Sequence, residues 1–194
     1  YPRGRAYLVK KLLKDLTGFT AWKTYAYFFG APAINTETNV ALRPLNDTSE
    51  RLRSEARRDR AMVIGFHIAA LVVSAATGYL FEYLILWVLP LLTVVQAILR
   101  LRAISEHGAT SDFSSPLTAA RTNLAGSLVE WMIFPHSVNY HIEHHLYASV
   151  PHYNLPELHR EMVKYGVLDG AEVVPFGKTL ARIFADRRPA ATIV

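Results

Sequence analysis

The stretch that decides the fold of this chain is NYHIEHHL, residues 139–146, which carries three of the eight histidines among the 194 residues. On a helix, side chains at positions i, i+3 and i+4 share one face, so His141, His144 and His145 would direct their imidazoles into one volume. Chance alone would produce this spacing roughly 0.01 times in a chain of such composition. The spacing therefore predicts a metal site on a helix, and a solvated or core histidine cluster is the simpler alternative.

Composition limits the kind of metal site and the kind of partner. The chain contains no cysteine, which excludes disulfides, iron–sulfur clusters and thiolate zinc sites, so nitrogen or oxygen atoms must hold any metal. The net charge is +5, but many of the arginines gather at the two ends of the longest apolar region. These are Arg51, Arg53, Arg57, Arg58 and Arg60 before it, and Arg100 and Arg102 after it. This arrangement is typical of the cytosolic flanks of membrane spans, and it argues against a nucleic-acid-binding surface.

Two apolar stretches, residues 61–80 and 84–99, predict a transmembrane helical hairpin. The first supplies about 20 uncharged residues, which is the length that crosses a membrane at 1.5 Å per residue. Residues 79–83 are predicted to form a short aromatic turn, and Pro90 to kink the second helix. His67 is expected to hydrogen-bond between the two helices. Because arginines flank both open ends, those ends are predicted to face the cytosol.

The remaining segments predict helices and loops around the hairpin. Aromatic and lysine side chains in residues 16–34 indicate a helix in the headgroup region, with a buried soluble helix as the alternative. Residues 35–47 are predicted to form a loop. Ser115 and Pro116 are typical of a helix start, which predicts one helix over residues 117–134 along the membrane surface or under the site. A short helix is predicted at 157–165, and the basic end at 187–188 is expected to fray.

Together these elements predict an all-α, integral membrane fold in one domain. It would comprise the hairpin at 61–99, interfacial helices, a cytosolic histidine region at 100–165 and a tail at 166–194. Because the sequence begins at Tyr1 without an initiator methionine, we expect it to be the C-terminal part of a longer protein.

The segments HSVNYHIEHHL (136–146) and VPHYNLPELH (150–159) resemble the third histidine box, with its downstream flank, of the membrane fatty-acid desaturases. That family includes hydroxylases and ketolases, and its members hold two non-haem irons with three histidine boxes. RAISEHG (102–108) resembles the segment that carries an additional histidine after the family's fourth span. The resemblance covers residues 49–159. The first two boxes have no match here and would precede Tyr1, and Ala103 stands where some relatives have asparagine.

The resemblance implies roles for particular residues. The implied iron ligands are His107, His141, His144 and His145. The candidates for orienting their N–H groups are Glu106, Asn139 and Glu143. His136 is a weaker metal candidate, and His152 and His159 are expected to be structural.

The resemblance also implies the chemistry. The full-length protein would use O₂, two irons and electrons from a ferredoxin-, rubredoxin- or cytochrome-type donor to place a double bond in a membrane acyl chain. This chain alone would be inactive. Neutral imidazoles suit Fe(II), so metal binding is expected to weaken below about pH 6.5. The expected location is a bacterial inner membrane, with the metal site facing the cytoplasm.

Other functions remain open from the sequence. The close alternative is a hydroxylase or ketolase of the same superfamily that acts on a fatty acid, alkane or carotenoid. A soluble zinc hydrolase or metal-binding module would hold its metal with His141, His144 and His145. A membrane protein that handles metal ions or protons without catalysis is the third possibility.

Overall fold

The computed structural model describes residues 4–29, 33–34, 41–42, 49–108, 110 and 115–185. The described α-helices are α1 (Arg5–Leu16), α2 (Ala21–Phe28), α3 (Glu50–Thr77), α4 (Leu80–Tyr83), α5 (Leu89–Leu92), α6 (Val94–His107), α7 (Pro116–Ala119), α8 (Ser127–Ile133), α9 (His141–Leu146), α10 (Leu155–Lys164) and α11 (Phe176–Ile183). The described strands are β1 (Ala33–Ile34), β2 (Ala41–Leu42), β3 (Thr122–Leu124) and β4 (Val173–Pro175). Short 3₁₀-helices lie at Pro135–Ser137 and His152–Asn154.

The chain is mostly helical, but the all-α prediction is wrong in detail, because the described residues also form two small sheets. β1 pairs antiparallel with β2, and β3 pairs parallel with β4. The chain divides into two compact units, one of Leu13–Ala97 and one of Tyr1–Leu12 with Ile98–Val194. Apart from β2, the loop predicted at 35–47 lies outside the described residues, and so does the basic end at 187–188.

α3 joins the charged run and the first apolar stretch in a single 28-residue helix. The Ser49 side chain caps its start by accepting a hydrogen bond from the Leu52 N–H at 3.3 Å. Gly78 ends it with a φ of 83°, which glycine adopts without strain. The aromatic turn predicted at 79–83 is wrong, because this left-handed cap reverses the chain within two residues and α4 already begins at Leu80.

The second apolar stretch is helical from Leu80 to His107, with two irregularities. A π-helical turn occupies Leu84–Val88, and the helix breaks at Thr93, which has φ −121° and ψ −83°. Pro90 lies between them, and it has no N–H to donate to the preceding turn. The predicted kink is therefore present as a widened turn before the proline and a break after it.

The two long helices form the predicted hairpin. Nδ1 of His67 lies 2.9 Å from the hydroxyl oxygen of Tyr83, which confirms the expected interhelical hydrogen bond. The rings of Phe66 and Trp87 also pack together, with 6.3 Å between centroids. Both helices are long and apolar enough to cross a membrane, and only 0% and 6% of their apolar windows are buried. The hairpin therefore presents apolar side chains outward.

Residues 117–134 form separate elements instead of the predicted continuous helix. Ser115 caps α7 as predicted, since its side chain accepts a hydrogen bond from the Leu117 N–H at 3.2 Å. α7 nevertheless ends at Ala119, β3 follows, and α8 begins after Gly126. Thr and Asn have weak helix propensity, and burial of the polar segment at 121–123 favours strand pairing with β4.

Two small apolar clusters form the core of the unit that contains the histidine stretch. The first contains Ala120, Ile142, Met162 and Leu168. The second contains Leu8, Ile104 and Ile183. α10 matches the short helix predicted at 157–165. The expected tail at 166–194 instead includes a packed strand and helix, because α11 buries one face.

Candidate metal centre

α6 places His107 at its carboxyl end. The Gly108 N–H still donates to the Ile104 carbonyl oxygen at 2.7 Å, and a Cβ at position 108 would lie only 2.4 Å from that oxygen, so this close approach requires glycine. Nδ1 of His107 lies 3.4 Å from the carbonyl oxygen of Ala119. Because a carbonyl can only accept, this contact requires the proton on Nδ1 and leaves the lone pair on Nε2.

α9 presents His141 and His145 on one face, because they are four residues apart. Nε2 of His141 lies 2.8 Å from Nε2 of His107 and 3.2 Å from Nε2 of His145. The ligand atoms of these three residues all lie within 4.8 Å of one another. The fold thus brings together three of the four predicted ligands, which we call the histidine trio.

The two separations that His141 makes within the trio fit ligation of a single metal ion. Two nitrogen donors at about 2.1 Å from one ion, at angles between octahedral and tetrahedral, are about 3.0 to 3.4 Å apart. The observed separations of 2.8 and 3.2 Å lie close to that range. Facing lone pairs repel at such distances unless a proton or a cation lies between them. The donor set is therefore compatible with a divalent transition metal.

Electrostatics keep two of these imidazoles neutral. Burial, followed by the charges of neighbouring histidines, lowers the pKa of His141 to about 3. Burial and the charges of His107 and His144 also lower the pKa of His145. Both side chains therefore carry an available lone pair at pH 7. Burial thus places protonation of the His141 imidazole well below pH 6.5, through its pKa of about 3. The expected weakening of metal binding below about pH 6.5 stays a prediction.

The unfolding temperature of the metal-free protein is expected to fall as the pH is lowered from 6.5 towards 3. In this window the unfolded chain binds a proton at His141 that the folded chain, with its pKa of about 3, does not bind. The contribution of His141 to the free energy of unfolding is therefore complete above pH 6.5 and is lost as the pH falls towards 3. The decline should be shallower in His141→Asn, as thermal denaturation across this range would measure. An equally steep decline in both proteins would contradict the assignment.

His144, the fourth predicted ligand, lies outside the trio. Its ring centroid is 6.1 Å from that of His141. It lines an adjacent cavity of about 210 Å³, together with Arg102, His141 and His152. Its role as a ligand remains a prediction.

Glu106 is the predicted orienting group that lies beside the trio. Its Oε2 is 3.8 Å from Nε2 of His141, too far for a hydrogen bond but close enough to add negative charge near a bound cation. Its Oε1 accepts a hydrogen bond from Nε of Arg102 at 2.7 Å. The Arg102 contact fixes the carboxylate along the same face of α6.

The hydrogen bonds described for the side chains of Glu143 and Asn139 do not involve the trio. The carboxylate of Glu143 is fully buried and accepts hydrogen bonds from the Thr122 hydroxyl, at 2.6 Å, and from Nδ1 of His159. Nδ2 of Asn139 donates to the carbonyl oxygen of Asn123 at 3.2 Å. These contacts fix α9 and the residues before it. Orientation of the trio by either side chain stays a prediction.

His136, the weaker metal candidate, pairs with His152. Their rings are 4.9 Å apart between centroids and nearly perpendicular. His136 and Ser137 have φ values of 60° and 55°, in the left-handed region that strains residues with a Cβ. The structure thus places His136 with the downstream flank.

The sequence did not reveal the polar segment Arg121, Thr122 and Asn123. All three residues are fully buried and bond to the helices that carry the trio. The available signal was three consecutive polar residues inside a predicted amphipathic helix, which a single buried face does not accommodate.

A hairpin of two long apolar helices and a cluster of imidazoles without cysteine are together typical of a membrane protein that binds metal through histidine. The chain matches the fatty acid desaturase family over residues 2–173, and it belongs to that family. A dihydrorhizobitoxine desaturase from Bradyrhizobium elkanii is 27% identical to it over 108 residues. This match covers 55% of the present chain and 31% of that protein, so the chain spans only about a third of the relative's length. No solved structure matches the chain significantly.

Proposed function

We propose that the histidine trio holds one iron of a di-iron centre in an O₂-dependent oxidoreductase that introduces a double bond into a fatty acyl chain. The observation that carries the proposal is the convergence of three Nε2 atoms, from His107, His141 and His145, at the end of a long apolar helix. Membership of the fatty acid desaturase family supports the reaction class.

The trio leaves coordination positions for other donors. His107 and His145 are exposed, whereas His141 is partly buried, so further donors can reach a metal from the exposed side of the trio. Three nitrogens are fewer than an octahedral iron accepts. In this proposal His144 serves the second iron, and further histidine boxes outside this chain complete both ions.

The bound irons would supply the oxidising power needed to remove hydrogen from an unactivated methylene with O₂. Desaturation takes two hydrogens from the chain, two electrons from a donor and two protons, and reduces one O₂ to two waters. The electrons would come from a separate ferredoxin-, rubredoxin- or cytochrome-type protein. The low pKa values of His141 and His145 keep both imidazoles able to ligate at neutral pH.

The hairpin supports a membrane location and an acyl substrate. Its outward apolar side chains fit a bilayer. The arginines at its open ends favour a site on the cytoplasmic side of a bacterial inner membrane. A soluble zinc hydrolase fits neither this hairpin nor the family.

Lipid analysis of cells that express the full-length protein with a compatible donor tests the proposal. We expect a new double bond in the acyl chains, absent from cells that express His141→Ala at equal abundance. An oxygenated product would replace desaturation with hydroxylation, which starts from the same hydrogen removal. Folded, iron-loaded protein that yields neither product would contradict an oxidative role.

A further inference from the structure

Arg121, Thr122 and Asn123 form a run of three fully buried polar residues. Burying a guanidinium, a hydroxyl and an amide is unfavourable unless each forms hydrogen bonds. In this chain those bonds run to both helices that carry the trio. The run therefore links these two helices in addition to filling space in the core.

Arg121 and Asn123 hold the carboxyl end of α6. Nη1 of Arg121 donates to the carbonyl oxygens of Ser105 and Gly108, each at 3.0 Å. Nδ2 of Asn123 donates to the same Ser105 oxygen at 3.2 Å. The last carbonyls of a helix lack partners within the helix and carry its negative dipole, so a buried cation stabilises them. These two carbonyls lie on either side of His107 along the backbone.

Glu172 compensates the charge of Arg121 and fixes its plane. Its Oε2 accepts hydrogen bonds from Nε at 2.9 Å and from Nη2 at 2.7 Å. The Arg121 side chain is 0% exposed and that of Glu172 is 13% exposed. A buried cation of this kind is stable only with such a partner.

Thr122 holds the start of α9. Its hydroxyl accepts a hydrogen bond from the Ile142 N–H at 3.2 Å and donates to Oε2 of Glu143 at 2.6 Å. Both partners directly follow His141 in the first turn of α9. In addition, the Asn123 N–H donates to the carbonyl oxygen of Asn139 at 3.0 Å. The run that fixes the end of α6 thus also fixes the start of α9.

We infer that residues 121–123 are a positioning clamp that sets the approach of His107 to His141, whose Nε2 atoms lie 2.8 Å apart. The clamp acts through the backbones of α6 and α9. These two helices are too far apart in sequence for a local pattern to link them. This inference rests on the proposed function, because the separation matters only where the trio binds iron.

The test compares Thr122→Val with Thr122→Ser in the full-length protein, purified anaerobically with ⁵⁷Fe. Valine keeps the shape but removes the hydroxyl, whereas serine keeps the hydroxyl. We expect valine to weaken iron affinity about tenfold, the lower end for groups that support metal ligands, and to alter the Mössbauer spectrum. The serine variant should keep the wild-type iron affinity and the wild-type Mössbauer spectrum. Thr118→Val is the control, because the hydrogen bond described for that hydroxyl is local, to the Ser115 carbonyl oxygen at 3.2 Å.

A second variant keeps the test decisive if Thr122→Val does not fold. Glu172→Gln removes the charge that compensates Arg121 and should also weaken iron affinity, by about tenfold. Glu161→Gln, which removes an exposed partner of Lys164, should not. Wild-type affinity and spectrum in the folded clamp variants would overturn the clamp alone. A wild-type protein that binds no iron would overturn the proposed function and the clamp with it.

Discussion

Replacing His141 with glutamine is expected to lower iron affinity by more than about a hundredfold, beyond the range for groups that only support a ligand. His141 is the member that joins the trio, with its Nε2 at 2.8 Å from His107 and 3.2 Å from His145. Glutamine is polar and of similar reach, but its amide is a much weaker donor to iron than imidazole. Iron content and chelator competition on the anaerobically purified full-length protein would measure the loss.

His67→Gln is the matched control for this substitution. His67 also makes a polar contact, to the Tyr83 hydroxyl, but within the hairpin. The variant should therefore retain iron. Retention of iron by His141→Gln, or an equal loss in both variants, would remove the basis for the trio as a binding site.

Replacing Arg121 with methionine is expected to destabilise the protein by about 3–5 kcal/mol, the usual result of removing one partner from a buried ion pair. The substitution leaves the Glu172 carboxylate and the Ser105 and Gly108 carbonyl oxygens without the guanidinium that now binds them. Methionine fills a similar volume, so the effect reports lost polar contacts rather than a cavity. Denaturation in detergent micelles would measure it.

Arg51→Met provides the comparison for a solvent-exposed pair. Arg51 contacts Glu55 at 2.9 Å, but its side chain is 86% exposed, so its loss should cost less than about 1 kcal/mol. Similar destabilisation by the two substitutions would show that burial of Arg121 contributes little to the fold.

The histidine stretch and the hairpin were predictable because their signals are local. Residues i and i+4 lie 40° apart around a helix, so His141 and His145 meet the same partner. His144, at i+3, is displaced by about 60° in the other direction around the helix, which explains why it lines the neighbouring cavity instead. The contribution of His107 came only from the family resemblance, since a single histidine after a glutamate has no specific pattern.

The clamp and the packed C-terminal elements were not predicted, for different reasons. The partners of Arg121 and Thr122 are carbonyl, carboxylate and backbone N–H groups 13 to 51 residues away, which local periodicity does not report. The apolar residues at 117, 124, 128 and 131 are spaced as in a helix. This spacing predicted a continuous helix where the strand β3 lies. By contrast, the burial of Phe176, Thr179 and Ile183 follows helical spacing, so that signal was present in the sequence.

The most direct test of the central claim is an anomalous difference map of the full-length protein, recorded at the iron edge from anaerobically grown crystals. The trio predicts an iron peak about 2.1 Å from the Nε2 atoms of His107, His141 and His145. A map with no iron peak there, or with these nitrogens bonded only to protein or water, would contradict it.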